Sequence, residues 1–145
     1  MDEFTKNLKH ADKWTVEGNG FAIEVSRHDT YGGENGWCLY AVIRKGHPLF
    51  DLLNVEGKRD WEIDAINSMP LHGGCTYFEP IVHAKDGDGL YGRNYKRGEI
   101  HAFKVGCDYS HLHDEWFRQA KTKGDAGRVF ADAECLFEHC KQVQL

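Results

Sequence analysis

The sequence is poor in the features that would settle its class outright. It has no apolar run near the roughly 18 residues that span a bilayer, and its opening, Met1-Asp2-Glu3-Phe4-Thr5-Lys6, lacks the apolar stretch of a signal peptide. Neither a membrane span nor a secretory leader is expected, and a cytoplasmic location is. Only three prolines occur and no stretch is of low complexity, so the 145 residues read as a single domain without a linker. Positive charge is also short: 18 Lys and Arg against 23 Asp and Glu leave a net charge of −5. Polymeric nucleic acid is an unfavourable partner for such a chain, because that grip comes from counterions released to Lys and Arg. The five cysteines (Cys38, Cys75, Cys107, Cys135, Cys140) contain no CxxC pair. They read as reduced, buried thiols, not as a zinc knuckle or a disulfide framework.

What is present is a succession of periodic segments. Phe4, Leu8 and Ala11 stand at helical spacing in a polar opening, which reads as a short helix or an arm. From Phe21 the period changes to two, with Phe21, Ile23 and Val25 on one side of a half-buried strand, followed by a turn-rich hairpin connection from Tyr31 to Gly36. Trp37 to Ile43 is almost continuously apolar, as expected at the centre of a sheet, and Gly46-His47-Pro48 stops it. Asp51 to Met69 is weakly patterned; Asp60 ahead of Ile63, Ile66 and Met69 slightly favours a short capped helix over an irregular excursion across one sheet face. Cys75 to Val82 alternates as a third strand in which Pro80 marks an edge or a bulge, and Glu99 to Cys107 reads as a fourth. Val129, Phe130, Ala133, Leu136, Phe137, Cys140 and Val143 form one stripe of a helix from about Ala126, with Asp125 as its N-cap. The expected fold is α+β, with about four mainly antiparallel strands, a long C-terminal helix packed across the sheet, and one or two short helices.

Reactive side chains concentrate in two places. Between Asp108 and Trp116 stand Asp108, Ser110, His111, His113, Asp114 and Glu115, and upstream runs His72-Gly73-Gly74-Cys75-Thr76-Tyr77. If strands three and four pair as an antiparallel hairpin, His72 and Asp108 reach the same end of the sheet. The set admits several readings. His72, His111 or His113 with Asp108 or Asp114 could hold a divalent metal, zinc or manganese, and activate a water, although no HExxH is present. His72 and His111 could act as metal-free acid and base. The same polar groups, with Tyr77, Tyr91, Tyr95 and Trp116, could hold a nucleotide-like molecule by stacking and hydrogen bonds. The plainest reading is a capped turn beside solvated carboxylates. Two further motifs carry less. Asp86-Gly87-Asp88-Gly89 opens like a calcium loop but has Leu90 at position five and no glutamate at twelve, so it reads as a turn. The basic run Arg93-Asn94-Tyr95-Lys96-Arg97 offers cations for a small phosphorylated ligand but reads first as a solvated loop tip.

At Gly46-His47-Pro48-Leu49, His72-Gly73-Gly74-Cys75-Thr76-Tyr77 and Gly106-Cys107-Asp108-Tyr109-Ser110-His111-Leu112-His113-Asp114, the chain resembles a family of small, largely uncharacterised phage proteins. Their pattern is Gly-His-Pro-Leu, then His-Gly-Gly-x-Thr-aromatic, then Gly-aromatic-Asp-x-x-His-x-x-Asp. It departs from that pattern at Cys107, where an aromatic is expected, and at Lys45, where a proline is. The resemblance marks His47, His72, Gly73, Gly74, Thr76, Asp108, His111 and Asp114 as signature positions and gives them no catalytic role. A phage origin implies an accessory protein in the host bacterial cytoplasm that counters host defence, by sequestering or degrading a nucleotide-derived immune signal or by binding a host defence protein. The expected ligand-binding set is therefore His47, His72, Gly73, Gly74, Thr76, Tyr77, Asp108, His111 and Asp114. Asp108, His111 and Asp114 would be its metal-capable members, and a homo-oligomer is compatible with this reading.

Overall fold

The computed structural model describes residues 5–8, 11–29, 35–82, 99–109, 115–120 and 122–143. Six strands, β1 (Thr5–Leu8), β2 (Ala11–Glu17), β3 (Phe21–Asp29), β4 (Asn35–Arg44), β5 (Tyr77–Val82) and β6 (Ile100–Asp108), form one sheet. Its order is β1-β2-β3-β4-β6-β5, and every neighbouring pair is antiparallel. Helices α1 (Pro48–Leu53) and α2 (Asp64–Asn67), with a 3-10 turn at Asp60–Glu62 between them, fill the connection from β4 to β5. Helices α3 (Glu115–Gln119) and α4 (Gly127–Gln142) follow β6. The architecture is α+β, an antiparallel sheet with one long C-terminal helix.

Alternation decides which face is covered. On β4, Trp37, Leu39, Ala41 and Ile43 are buried while Cys38, Tyr40, Val42 and Arg44 are half-buried, and the register matches Ile43 to Phe103, Ala41 to Val105 and Leu39 to Cys107. The inward face thus runs continuously across the paired strands. Helix α4 lays Val129, Phe130, Ala133, Leu136 and Cys140 onto it, over β3 and β4. Trp14 stacks on Trp37 at 5.6 Å, Phe130 meets Trp14 edge-on at 5.3 Å, and Phe21 meets Phe137 at 5.1 Å. Helix α1 joins the same face through Phe50 against Phe103 at 5.4 Å.

Five expectations change. Asp60 does not cap the helix that buries Ile66: it opens the 3-10 turn, and the N-cap position of α2 is Ile63. The opening segment is not a helix or loose arm: among its described residues it supplies β1 and β2, so the sheet has six strands and not about four. Pro48 does not merely stop β4 but occupies the first turn of α1, whose N-cap is His47. Asp125 does not cap α4; the N-cap position is Ala126, and the Asp125 backbone N–H donates to Thr122 Oγ1 at 3.1 Å. The thiols are all free, but only Cys107 and Cys140 are buried, and Cys135 is exposed. Pro80 does sit on an edge strand, β5, whose register slips between Ile81 and Val82.

Candidate functional site

The His72 turn is built by its glycines. Gly73 and Gly74 have φ of 71° and 89°, a left-handed backbone that costs a side-chain-bearing residue about 1–2 kcal/mol. A Cβ at Gly74 would meet nothing within 4 Å, so glycine is needed there for conformation and not for close approach. The Gly74 N–H closes the turn on Leu71 O at 3.1 Å, and the Thr76 N–H donates to Gly106 O at 2.9 Å, which hands the chain to β6. His72 then lies flat on Tyr109, 4.5 Å between centroids and 12° between planes, and edge-on to Phe117 at 5.7 Å. Tyr109 is buried, and its hydroxyl donates to Asp132 Oδ2 at 2.7 Å, while Arg128 Nε donates to Asp132 Oδ1 at 3.2 Å. Burial, then the hydrogen bond to Asp132, pushes the Tyr109 phenol well above its ordinary range.

The hairpin expectation therefore holds: β5 pairs with β6, and His72 arrives beside the residue that follows Asp108. Asp108 itself pairs in register with Cys38, which places it on the outward face with Tyr40, opposite the face of Tyr109. His111 and Asp114, with Ser110 and His113, lie outside the described residues, as do Tyr91, Tyr95, the Asp86 loop and the basic run from Arg93. The anchors that flank 110–114 are described. The Tyr109 N–H donates to Trp37 O at 2.9 Å, the Trp37 indole N–H donates to Ala120 O at 2.9 Å, and Asn35 Nδ2 donates to Arg118 O at 3.0 Å. One residue, Trp37, thus ties down both flanks.

Thr76 and Tyr77 face a different neighbour from His72. With Phe78 and Glu79 they line a cleft of about 450 Å³ whose other lining residues are Arg59, Asp60 and Trp61. Trp61 is 62% exposed, and the Arg59 guanidinium carbon stands 5.2 Å from its ring centroid. Cys75 sits at the base of this stretch. Its thiol donates to Tyr77 O at 3.3 Å, and burial above all, with the nearby Asp60 charge adding, pushes it up to about 11, so at neutral pH it is a thiol and a poor nucleophile. Tyr77 meets Tyr40 edge-on at 5.2 Å, and Lys104 Nζ lies 4.3 Å from the Tyr40 ring. Gly106 makes that arrangement possible, because a Cβ there would come within 2.4 Å of the Tyr40 ring and 2.2 Å of Leu39 O.

His47 belongs to neither group. It is buried at the end of β4 remote from Trp37, where its Nδ1 accepts from the Leu49 N–H at 3.1 Å and its Nε2 bonds Cys140 O at 2.9 Å. Of the expected set, the structure gathers His72, Gly73, Gly74, Thr76 and Tyr77 around one turn, sets Asp108 on the outward face beside it, and puts His47 at the far end of the sheet. No three His, Cys, Asp or Glu residues among the described residues come together as a metal cage. Sequence reasoning missed Arg59 and Trp61. The available signal was a tryptophan in the charged stretch Lys58-Arg59-Asp60-Trp61-Glu62, without the apolar neighbours that would bury it. Comparison with protein families, curated proteins and solved structures gives no match.

Proposed function

We propose that this is a non-catalytic binding protein for a small, planar, anionic molecule of the nucleotide class, taken up in the cleft between the turn at 59–61 and the strand segment at 76–79. The observation that carries the reading is the pairing of an exposed indole with a guanidinium at a cleft of ligand size. An indole face offers base stacking, a guanidinium offers a fork to a phosphate, and Asp60, Glu79 and Thr76 supply acceptors and a hydroxyl for ring and ribose donors. The His72-Gly73-Gly74 turn leads directly into that strand segment, closed by the Gly74 N–H on Leu71 O. In the phage setting that the resemblance implies, the role is sequestration of a nucleotide-derived immune signal in the host cytoplasm.

Titration with a panel of mono-, di- and cyclic nucleotides tests this, read by calorimetry and tryptophan fluorescence, with the mixture chromatographed after denaturation. Binding with intact nucleotide returned, weakened at least tenfold in Trp61→Ala and in Arg59→Ala, is expected, since a stacked base contributes about 1–3 kcal/mol. Altered nucleotide would make the protein a hydrolase, with His72 and His111 as its first candidates. Retention of no nucleotide, or retention indifferent to both substitutions, overturns the cleft assignment.

A further inference from the structure

A second concavity borders the same 3-10 turn through Glu62 and has an apolar floor in place of the exposed indole. Helices α1 and α2 pack against each other, burying Leu49, Phe50 and Leu53 from the first and Ile66 from the second. Leu52 points away from that core and is 40% exposed. With Val55, Ile63 and Ala65 it lines a groove of about 360 Å³, whose lining also includes the carboxylates of Asp51, Glu62 and Asp64 against the single cation Lys58. Neither Asp51 nor Asp64 has a side-chain ion pair among the described residues. The stretch from Asp51 to Ser68 holds five carboxylates and two cations, and three of those carboxylates against one of those cations line the groove.

Both halves of that description constrain the occupant. An exposed leucine over an apolar floor favours an inserted apolar side chain. The acidic rim repels a phosphorylated ligand and attracts cations by a field that acts beyond contact distance. We propose that this groove docks a short basic segment of a protein partner, with one leucine-like or aromatic side chain seated on Leu52, Val55, Ile63 and Ala65, and flanking lysines or arginines meeting Asp51, Glu62 and Asp64. The complementarity is of charge and polarity together: neither a bare polycation nor an uncharged apolar peptide satisfies both the rim and the floor. This inference is independent of the nucleotide reading, because the cleft and the groove share no lining residue.

The test uses the whole protein and a fluorescent pentapeptide of one central leucine flanked by two lysines on each side, followed by anisotropy at low and at physiological salt. Saturable binding is expected, at least tenfold weaker for the peptide with glycine in place of leucine, at least tenfold weaker to Leu52→Gln and to Asp64→Lys, and weaker at higher salt. Both substituted residues are exposed, so thermal melting should show the variants folded. Equal binding of the leucine and glycine peptides would reduce the effect to counterion attraction and overturn the proposal, as would affinity unchanged in both variants or no binding at low salt. Sedimentation of the protein alone covers the remaining occupant: self-association abolished by Leu52→Gln would make the groove a contact between copies of this chain and overturn the basic partner.

Discussion

A single histidine shows how much work one side chain can do away from any ligand. His47 accepts at Nδ1 from the first turn of α1, which places its proton on Nε2, and Nε2 then donates to the carbonyl of Cys140 in the last turn of α4. Its ring also stands edge-on to Phe21 at 5.4 Å. One imidazole therefore caps a helix, satisfies an orphan carbonyl and fills the seam between β3 and α4. His47→Ala leaves the Cys140 carbonyl and the Leu49 N–H unpaired, and a loss of about 2 kcal/mol of stability in urea denaturation is expected, with nucleotide affinity unchanged by calorimetry. A histidine between Gly46 and Pro48 gives no sign in sequence of a partner 93 residues downstream. His72 was more legible, because the two glycines that follow it announce a turn whatever the turn is for.

Elements were readable in proportion to how many apolar residues mark their period. Helix α4 carries a full stripe and was placed to within a residue, and β3 alternates over enough positions to fix its face, whereas β4 is almost continuously apolar and could be read as a central strand without showing which face turns inward. The opening segment defeated the same logic. Only Trp14 and Val16 mark the inward side of β2, too few to outweigh the chance helical spacing of Phe4, Leu8 and Ala11. What makes it a strand is pairing, seven residues of β2 in register with β3, together with the ion pair of Arg27 Nε to Asp12 Oδ2 at 2.9 Å. The polar network continues from Arg27 to Asn35 Oδ1 at 2.7 Å and from Asn35 to Arg118 O at 3.0 Å, so the start of β4 also holds α3. Trp37→Phe keeps most of the buried ring and removes the bond to Ala120 O. Faster amide exchange over 115–120, measured by mass spectrometry with the sheet still protected, is the expected outcome.

For the molecule as a whole, the buried acids of the core set the response to alkali. Burial pushes the Cys107 and Cys140 thiols up to about 12 from an ordinary value of 9.0, and Tyr109 is displaced in the same direction. Each group binds its proton more tightly folded than unfolded, so its contribution is complete below about pH 9 and is lost as pH climbs towards 12. The unfolding free energy from urea denaturation should therefore hold to about pH 8.5 and then fall by about 1.4 kcal/mol per pH unit for each such proton. Cys107→Ala and Cys140→Ala should each flatten that fall by about one proton. Thiol burial was expected from the apolar surroundings of these cysteines, whereas the exposure of Cys135 came from its place on the outer side of α4.

The sheet order also governs how the chain can assemble. Strands β1 to β4 form a run of sequential antiparallel neighbours, β5 pairs with β6, and within the sheet the two groups are joined where β4 lies against β6. There Arg44 meets Ala102 and Cys38 meets Asp108, partners roughly 60 to 70 residues apart, so this ladder alone bears a long loop-closure entropy before it returns any burial. Gly106 sits on that ladder opposite Tyr40, where any side chain would strike Leu39 and Tyr40. The two groups of strands therefore meet along a ladder of long sequence separation, and the bare backbone of one glycine is what lets that ladder close.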